Sequence, residues 1–502
     1  MMKDKNVLLV TAKEAYDAVK KYSGMSKTPS RIHISGTDVA ALISRESLAG
    51  ELSGIDLGDI SIILLPGSVQ WDAEVIEKEV GIPCFKGPVN AANLPALLDE
   101  IKEIELSTVN PADAVIGEKI KKRLRGEFRE MKKYRYEFGK NYIHLLAEIE
   151  SAPKLSEGEL KRWARYYEDS GADMIDIGMT AGGGNEDKIP KIVETIKEVT
   201  GLPVSIDTLD EVEILSGVDS GVDLILSLDE TNLETASSID VSVVVIPRNK
   251  QGTIPKGVDE RVTLLEDLVE KVSDLNKSLR GKNRIIADPV LDPLNFGFTG
   301  AVASYYEFRK KNPGMPMLMG VGNVTELLDA DSVGVNALLM GAASELNIDI
   351  VFTVEASAKC RGSVKELDTA RKMMYLARKH NQLPKDLGID LLVLKDKKRV
   401  EDIIDPQIEE IDFVKVKKTP IKELEKGMFR IYLEGGEIKA VYYEGKKPKM
   451  GFRGKDAKDM YKTAVHRIKV STEHAAYLGK ELGKAETALK LGKNYIQDTE
   501  LF

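Results

Sequence analysis

Cysteine is nearly absent from this 502-residue sequence: Cys84 and Cys360 are the only two, and they lie far apart. That scarcity excludes a disulfide framework and fits a reducing compartment, so a cytoplasmic location is expected. No uninterrupted apolar run approaches the roughly 18 residues of a membrane-spanning helix, so no membrane partner is expected. The opening "MMKDKNVLLV" passes straight into a strand-like run and shows no cleavable signal pattern. An excess of cations is missing as well. The formal net charge is −9, which argues against nucleic acid as a main partner. Histidine is sparse: His33, His144, His380, His466 and His474 are scattered, and no HExxH or CxxC spacing occurs, so a zinc enzyme is disfavoured. Neither a P-loop nor a GxGxxG is present.

What the chain does have is a long alternation of apolar runs and amphipathic stretches. Residues 1–105 alternate "NVLLVTA", "RIHIS", "ISIILLPG" and "IPCFKG" with helical patterns such as "KEAYDAVKKY". This predicts a small Rossmann-like α/β domain with parallel strands. Residues 106–140 read as a charged helical connector around "GEKIKKRLRGEFREMKKY". From 141 to 389 the alternation becomes regular, with the strand-like runs "YIHLLAEI", "DMIDIG", "LPVSID", "VDLILS", "VSVVVI", "RIIADP", "PMLMGVG" and "IDIVFTVE". Eight strands, each followed by a helix, predict a (β/α)8 TIM barrel; the connection near "ETNLETASS" is the shortest. Residues 390–502 carry a hairpin pattern turning at Gly435–Gly436 and a long helical tail, which predicts a small α+β domain. The expected fold class is therefore α/β, a central TIM barrel flanked by an N-terminal Rossmann-like domain and a C-terminal α+β domain.

Active sites of such barrels lie at the C-terminal ends of the strands. Those ends read Glu148, Asp176, Asp207, Ser227 with Asp229, Arg248, Asp288, Asn323 and Glu355. Three aspartates end apolar runs ("MIDIG", "VSIDT", "IIADP"), where an unpaired carboxylate costs several kcal/mol. Asp207 in particular needs a partner or a mouth to open into. Convergent carboxylates suit a cation, a metal, or a ring with adjacent N–H donors. A pterin has such a fork, its N3–H beside a 2-amino group, which one carboxylate accepts with two parallel bonds. The pattern by itself does not choose between a pterin, a sugar and a metal.

A resemblance does choose. "GADMIDIGMTAGGG" (171–184) resembles the IDIG stretch of dihydropteroate synthases, "LPVSIDT" (202–208) resembles their P-SIDT, and "IIADPVLDPLNFGF" (285–298) falls where the pterin-binding barrel family has its DP-containing sixth strand. From about Tyr142 to Asn381 the chain is similar to that family, which includes the synthases and the methyltetrahydrofolate methyltransferases. The whole chain most resembles archaeal proteins called dihydropteroate synthase-related, which share the flanking domains. The resemblance implies a pterin ligand, of dihydropterin, folate or tetrahydromethanopterin type, held by Asp176, Asp207, Ser227, Asp229, Asp288 and Asn323. It implies a transferase joining a hydroxymethyl-dihydropterin pyrophosphate to an arylamine, with Lys359 and Arg361 supplying the cations and Glu148 a ligand for Mg²⁺.

The departures from the synthase pattern are also specific. Glu148 replaces the Asn of the first-strand loop, Leu226 falls where the synthases' pterin-contacting Asn would be, and the S-R-K after the seventh strand is missing. "GVGNVTE", with Asn323, resembles the methyltransferase branch, whose Asn lies near pterin N5. The alternatives are thus a methyl-tetrahydropterin-dependent methyltransferase with a corrinoid protein as partner, or a pterin-binding protein without catalysis. A homodimer is left open. The Gly-rich "TAGGGNEDK" (180–188) reads as a phosphate cradle or a loop with equal weight, and His474 reads as structural.

Overall fold

The structure is a computed structural model in which residues 6–135, 137–140, 142–279, 284–395 and 427–502 are described. Packing divides the chain into two compact units, Met1–Lys397 and Lys398–Phe502. The expected start of the C-terminal domain at residue 390 leads into 396–426, which lie outside the described residues.

The first unit opens with a four-stranded parallel sheet of β1 (Asn6–Thr11), β2 (Ser30–Ile34), β3 (Ile60–Leu65) and β4 (Cys84–Lys86), in the order β2-β1-β3-β4. Successive strand residues point to opposite faces. Val7, Leu9, Ile62 and Leu64 therefore enter one core and Leu8, Val10, Ile63 and Leu65 another. The first core also takes Ile120 and Leu124 from the connector helix Gly117–Met131 and Leu376 from the helix Ser363–His380. This shared apolar core joins the small sheet to the rest of the unit. Cys84 is buried within the second core, which pushes its thiol up to about 12, and Cys360 is buried as well.

Eight parallel strands come next: β5 (His144–Ile149), β6 (Met174–Gly178), β7 (Val204–Asp207), β8 (Leu224–Leu228), β9 (Ser242–Val245), β10 (Ile285–Ala287), β11 (Leu318–Gly320) and β12 (Ile350–Val354). Their order is β10-β9-β8-β7-β6-β5-β12-β11, and a parallel bridge from Ala287 to Met317 brings β10 back to β11. The sheet closes into the expected barrel. Helix starts are capped as their sequences dictate: Ser156 forms a capping box with Glu159, and Asp210 accepts from the N–H groups of Val212 and Glu213. Two connections differ from a strict strand–helix repeat. After β8 there is only the 3-10 segment Leu233–Ser238, and after β11 a short turn of helix precedes a second helix, Ser332–Glu345. The latter, "SVGVNALLMGAASE", has little amphipathic contrast to mark it.

The second unit holds an antiparallel sheet, β13 (Gly427–Glu434), β14 (Glu437–Glu444) and β15 (Lys447–Gly454), with the helices Ala457–Arg467 and Thr472–Leu491. The expected hairpin is β13–β14, and β15 is an added strand. His474 is buried, its ring edge-on to Phe429, which makes it part of this core. No helix of the described residues is long and apolar enough to cross a membrane.

Candidate functional site

The barrel interior is built in layers by the period-two alternation of its strands. Leu146, Leu224, Leu226, Val244, Ile286, Leu318 and Ile350 form one apolar cluster inside it, with Met174 packed against them. Two residues further along β5, β6 and beyond β10 stand Glu148, Asp176 and Asp288. Register completes the ring: Glu148 lies opposite Asp176, Asp176 opposite Ser205, and Gly178 opposite Asp207. All of these share the inward face. A floor of aliphatic side chains thus carries a ring of four carboxyls at its C-terminal end.

Each carboxyl is differently held. Asp176 is fully buried, accepts from Ser205 Oγ at 2.5 Å through Oδ1, and its Oδ2 has no partner. Asp288 accepts from the Tyr305 hydroxyl and from the Val290 N–H (2.8 Å), both at Oδ1. Glu148 leans across β6 into space that only a glycine leaves open, since a Cβ on Gly178 would sit 2.2 Å from Glu148 Oε1. Asp207 is half-buried at the end of β7.

Electrostatics follow from this crowding. Burial, then the charges of Asp207, Glu150 and Glu326, push Glu148 up to about 8. Burial, then Asp207 and Glu148, hold Asp176 well above the usual carboxylate range. Burial and the neighbouring Asp288 raise Asp207 to about 6. Asp288 is also raised to about 6 by burial, although Tyr305, Val290 and Arg261 favour its charged form. Near neutral pH the pocket is rich in acceptors, holds a proton on Glu148, and suits a ligand that presents N–H donors.

The other expected site residues stand around this ring with partners of their own. Asp229 is fully buried and bound to Arg248 Nη1 (2.8 Å) and to the Thr231 N–H and hydroxyl. Ser227 is buried, and its carbonyl accepts from Asn232 Nδ2 (3.1 Å). Asn323 is exposed on the short helix Gly322–Thr325 that follows β11, its Nδ2 near Gly320, and donates to the Leu291 carbonyl (2.9 Å). Lys359 is paired with Asp329 (2.9 Å). The Arg361 guanidinium lies over the rings of Trp163 and Tyr166, 5.0 and 4.9 Å from their centroids. Glu355 accepts from Tyr166, Gly362 and Val364 and anchors that corner. The structure therefore brings Glu148, Asp176, Asp207 and Asp288 together, while the cations Arg248, Lys359 and Arg361 are engaged with other groups. In the Gly-rich loop, Asp210 lies against Gly183, and Asn185 bridges Thr180 and Glu213. A phosphate seated there would meet the Asp210 carboxylate.

Among the described residues, no group of three His, Cys, Asp or Glu side chains is arranged to hold a metal ion. Glu148 contributes a single carboxyl, and its upward shift favours a proton over a bare oxygen donor. These residues do not fit a resident Mg²⁺. Sequence reasoning missed Ser205, Tyr305 and Gly178. Ser205 is two residues before Asp207 and so shares its face, a signal that period two carries. Tyr305 lies on the helix Phe298–Lys311, and no local pattern ties it to Asp288.

A family model described as PterinBD-DUF4346 matches residues 424–498. An uncharacterized protein of Methanocaldococcus jannaschii is 37% identical over 530 aligned positions, covering 99% of this chain and 99% of its own. Similarity over the full length places the chain with this archaeal protein in one family, the dihydropteroate synthase-related proteins with a pterin-binding barrel. Solved structures that match include a Yersinia pestis dihydropteroate synthase with a pterine-sulfa conjugate (17% identity, 47% of this chain and 94% of that one, TM-score 0.38). Another is the Thermus thermophilus dihydropteroate synthase in complex with 6HMPPP (20% identity, 46% and 92%, TM-score 0.35).

Proposed function

We propose that the barrel mouth binds a pterin by its N3–H and 2-amino edge, and that the protein is a pterin-dependent transferase of dihydropteroate synthase-like type. The observation that carries this reading is the ring of four inward-facing carboxyls with an orphaned acceptor, Asp176 Oδ2, in its wall. Asp207, with Asp288 beside it, accepts the donor edge. The free oxygen of Asp176 takes a further donor. Glu148, holding its proton near neutral pH, is placed to donate to a ring nitrogen or to protonate a group that gains charge. The reaction in this reading joins a hydroxymethyl-dihydropterin pyrophosphate to an arylamine, in folate or tetrahydromethanopterin-type cofactor metabolism. Breaking the C–O bond at the pterin methylene leaves a cation that the electron-rich ring shares, so positioning and exclusion of water do most of the work. Lys359 and Arg361 would have to leave Asp329 and the Trp163–Tyr166 rings to receive the pyrophosphate.

One observation favours a second reading, methyl transfer from a methyl-tetrahydropterin to a corrinoid protein. Asn323, on the short helix that follows β11, has its Nδ2 near Gly320 and its Oδ1 not engaged by the Leu291 bond. No displacement of cations is needed for that chemistry. A thermal-shift panel separates the readings, because a bound ligand raises apparent stability by mass action. A synthase is stabilised more by the hydroxymethyl-dihydropterin pyrophosphate than by the same pterin without phosphate. Equal stabilisation by both, with a further shift for a methyl-tetrahydropterin, selects the methyltransferase. No shift with any pterin contradicts both.

A further inference from the structure

Arg261, near the start of the helix Val258–Leu275, is wholly buried. A buried guanidinium is costly unless its donors find acceptors. Those of Arg261 find them on two loops of the barrel mouth, chiefly on the one that follows β10. Nη1 donates to the Val290 carbonyl (3.0 Å) and, at longer range, to the Pro289 carbonyl (3.5 Å). Nη2 donates to Asp292 Oδ2 (2.6 Å), and Nε to the Pro255 carbonyl (2.8 Å). Lys256 ties the far end of the same loop, at Asp292 Oδ1 (3.3 Å) and at the Phe296 carbonyl (3.0 Å). Within this loop Val290 has a φ of 67°, in the left-handed region that a β-branched residue rarely enters. Such a backbone persists only where its surroundings over-determine it. Here Arg261 holds the peptide units on both sides of the Val290 Cα.

The consequence of this turn falls on Asp288. The Val290 N–H points back to Asp288 Oδ1 (2.8 Å), and the Tyr305 hydroxyl donates to the same oxygen. Among the described residues no hydrogen-bond donor reaches Oδ2. One oxygen is thus fixed by the protein and the other is left for a ligand. A valine relaxed to negative φ would swing its N–H away and release Oδ1. We propose that Arg261 is a positioning residue for the ligand of the barrel mouth. It imposes the strained turn at Val290, and the turn aims Asp288 Oδ2 at an N–H donor of the ligand. The empty protein carries the strain, and the acceptor is already in place when the ligand arrives. The inference rests on the pterin reading for the identity of that ligand.

Calorimetric titration of the full chain with 6-hydroxymethyl-7,8-dihydropterin tests the proposal through a double-mutant cycle. Arg261→Lys keeps a cation beside Asp292 but lacks the fork that holds two carbonyls. It is expected to weaken binding about 10-fold. Val290→Asn tolerates a positive φ, so its turn no longer needs the clamp. In that background Arg261→Lys is expected to weaken binding by less than about 3-fold. A residue that only supports the fold would give the same loss in both backgrounds. If Arg261→Lys does not fold, the melting of ligand-free Val290→Asn carries the test. Relief of strain is expected to place it at or above the parent, and a lower melting temperature would overturn the inference. With the parent binding, no loss from Arg261→Lys, or a loss that Val290→Asn does not reduce, would overturn it as well. No binding by the parent would instead overturn the pterin reading.

Discussion

Asp173, just before β6, and Asp176, in the middle of that strand, lie three residues apart, both almost wholly buried, and they meet opposite fates. Asp173, at the base of the barrel, receives the Arg371 guanidinium, Arg135 (2.7 Å), the Tyr142 hydroxyl (2.8 Å) and the Leu145 N–H (3.0 Å). Its carboxyl is held below the usual range: burial opposes this, but the two arginines and the bonds outweigh it. Asp176, at the mouth, has one serine hydroxyl and a second oxygen with nothing. Its carboxyl is held far above the usual range by burial and by neighbours of its own sign. A carboxylate that serves the fold is paired from several sides. A carboxylate left short of partners, three residues on, is the one for which, in the proposed reading, a ligand supplies them.

The contrast between the two aspartates is most easily upset at the base. Arg371→Met removes the main partner of Asp173 and leaves a buried charge uncompensated. It is expected to destabilise the protein by about 3–5 kcal/mol, read by chemical denaturation. Asp176→Asn, which exchanges a strained group for a neutral one of the same shape, is expected to change stability by less than about 1 kcal/mol at pH 7. Equal losses from the two would mean that the mouth carboxyls are structural after all.

A smaller effect is expected at Tyr305. Tyr305→Phe removes one of the two donors on Asp288 Oδ1 and keeps the packing of the ring. Pterin affinity should fall about 10-fold, in line with a loss of roughly 1.5 kcal/mol for a bond to a charged group. Because the lost bond favoured the ionised form, the pH at which binding is half lost on acidification should move upward. A variant with weaker binding and an unmoved midpoint would show that Tyr305 acts through packing alone. The smallest effects belong to the engaged cations. Lys359→Ala and Arg361→Ala are expected to change stability by at most about 1 kcal/mol, since both lie at the surface. In the synthase reading they weaken binding of a pyrophosphorylated pterin and spare the pterin alone. Spared affinity for both ligands would leave these residues without a role in that reaction.

How much of the molecule is legible in its sequence depends on the range of each signal. The eight barrel strands are visible because each is an apolar run between helical stretches, and the inward face of Asp176 and Asp207 can be read from period two. The third strand of the C-terminal sheet, "KPKMGFRG", is not visible: it is an edge strand with little burial, so it carries almost no apolar pattern. The helix Ser332–Glu345 escapes for the opposite reason, being apolar and small-residue-rich on most faces. At the site, the identity of the acidic residues is readable and their partners are not. Asp229 reads like its neighbours until the Arg248 contact, nineteen positions away, shows it already paired. Glu148 and Gly178 are linked only because β5 and β6 lie side by side. Pairings set by the closure of the barrel leave no local trace in the chain.

The mouth carboxyls should be unfavourable in the empty protein and favourable once a ligand is bound, and Asp207 shows whether they are. Its carboxyl is raised from 3.8 to about 6 by burial and by Asp288, so its contribution to stability is present below about pH 4 and is lost as pH rises through about 6. Above that pH the parent should bear a penalty of about 2–3 kcal/mol that Asp207→Asn does not. The measurement is the melting of parent and Asp207→Asn between pH 4 and 8, with and without a dihydropterin. Without ligand, the variant should match the parent near pH 4 and be as stable or more stable at pH 8. With ligand, it should gain little, because its affinity falls by about 2–4 kcal/mol, or roughly 30- to 1000-fold. A variant that melts early without ligand, or binds the dihydropterin as the parent does, would contradict this reading of the mouth.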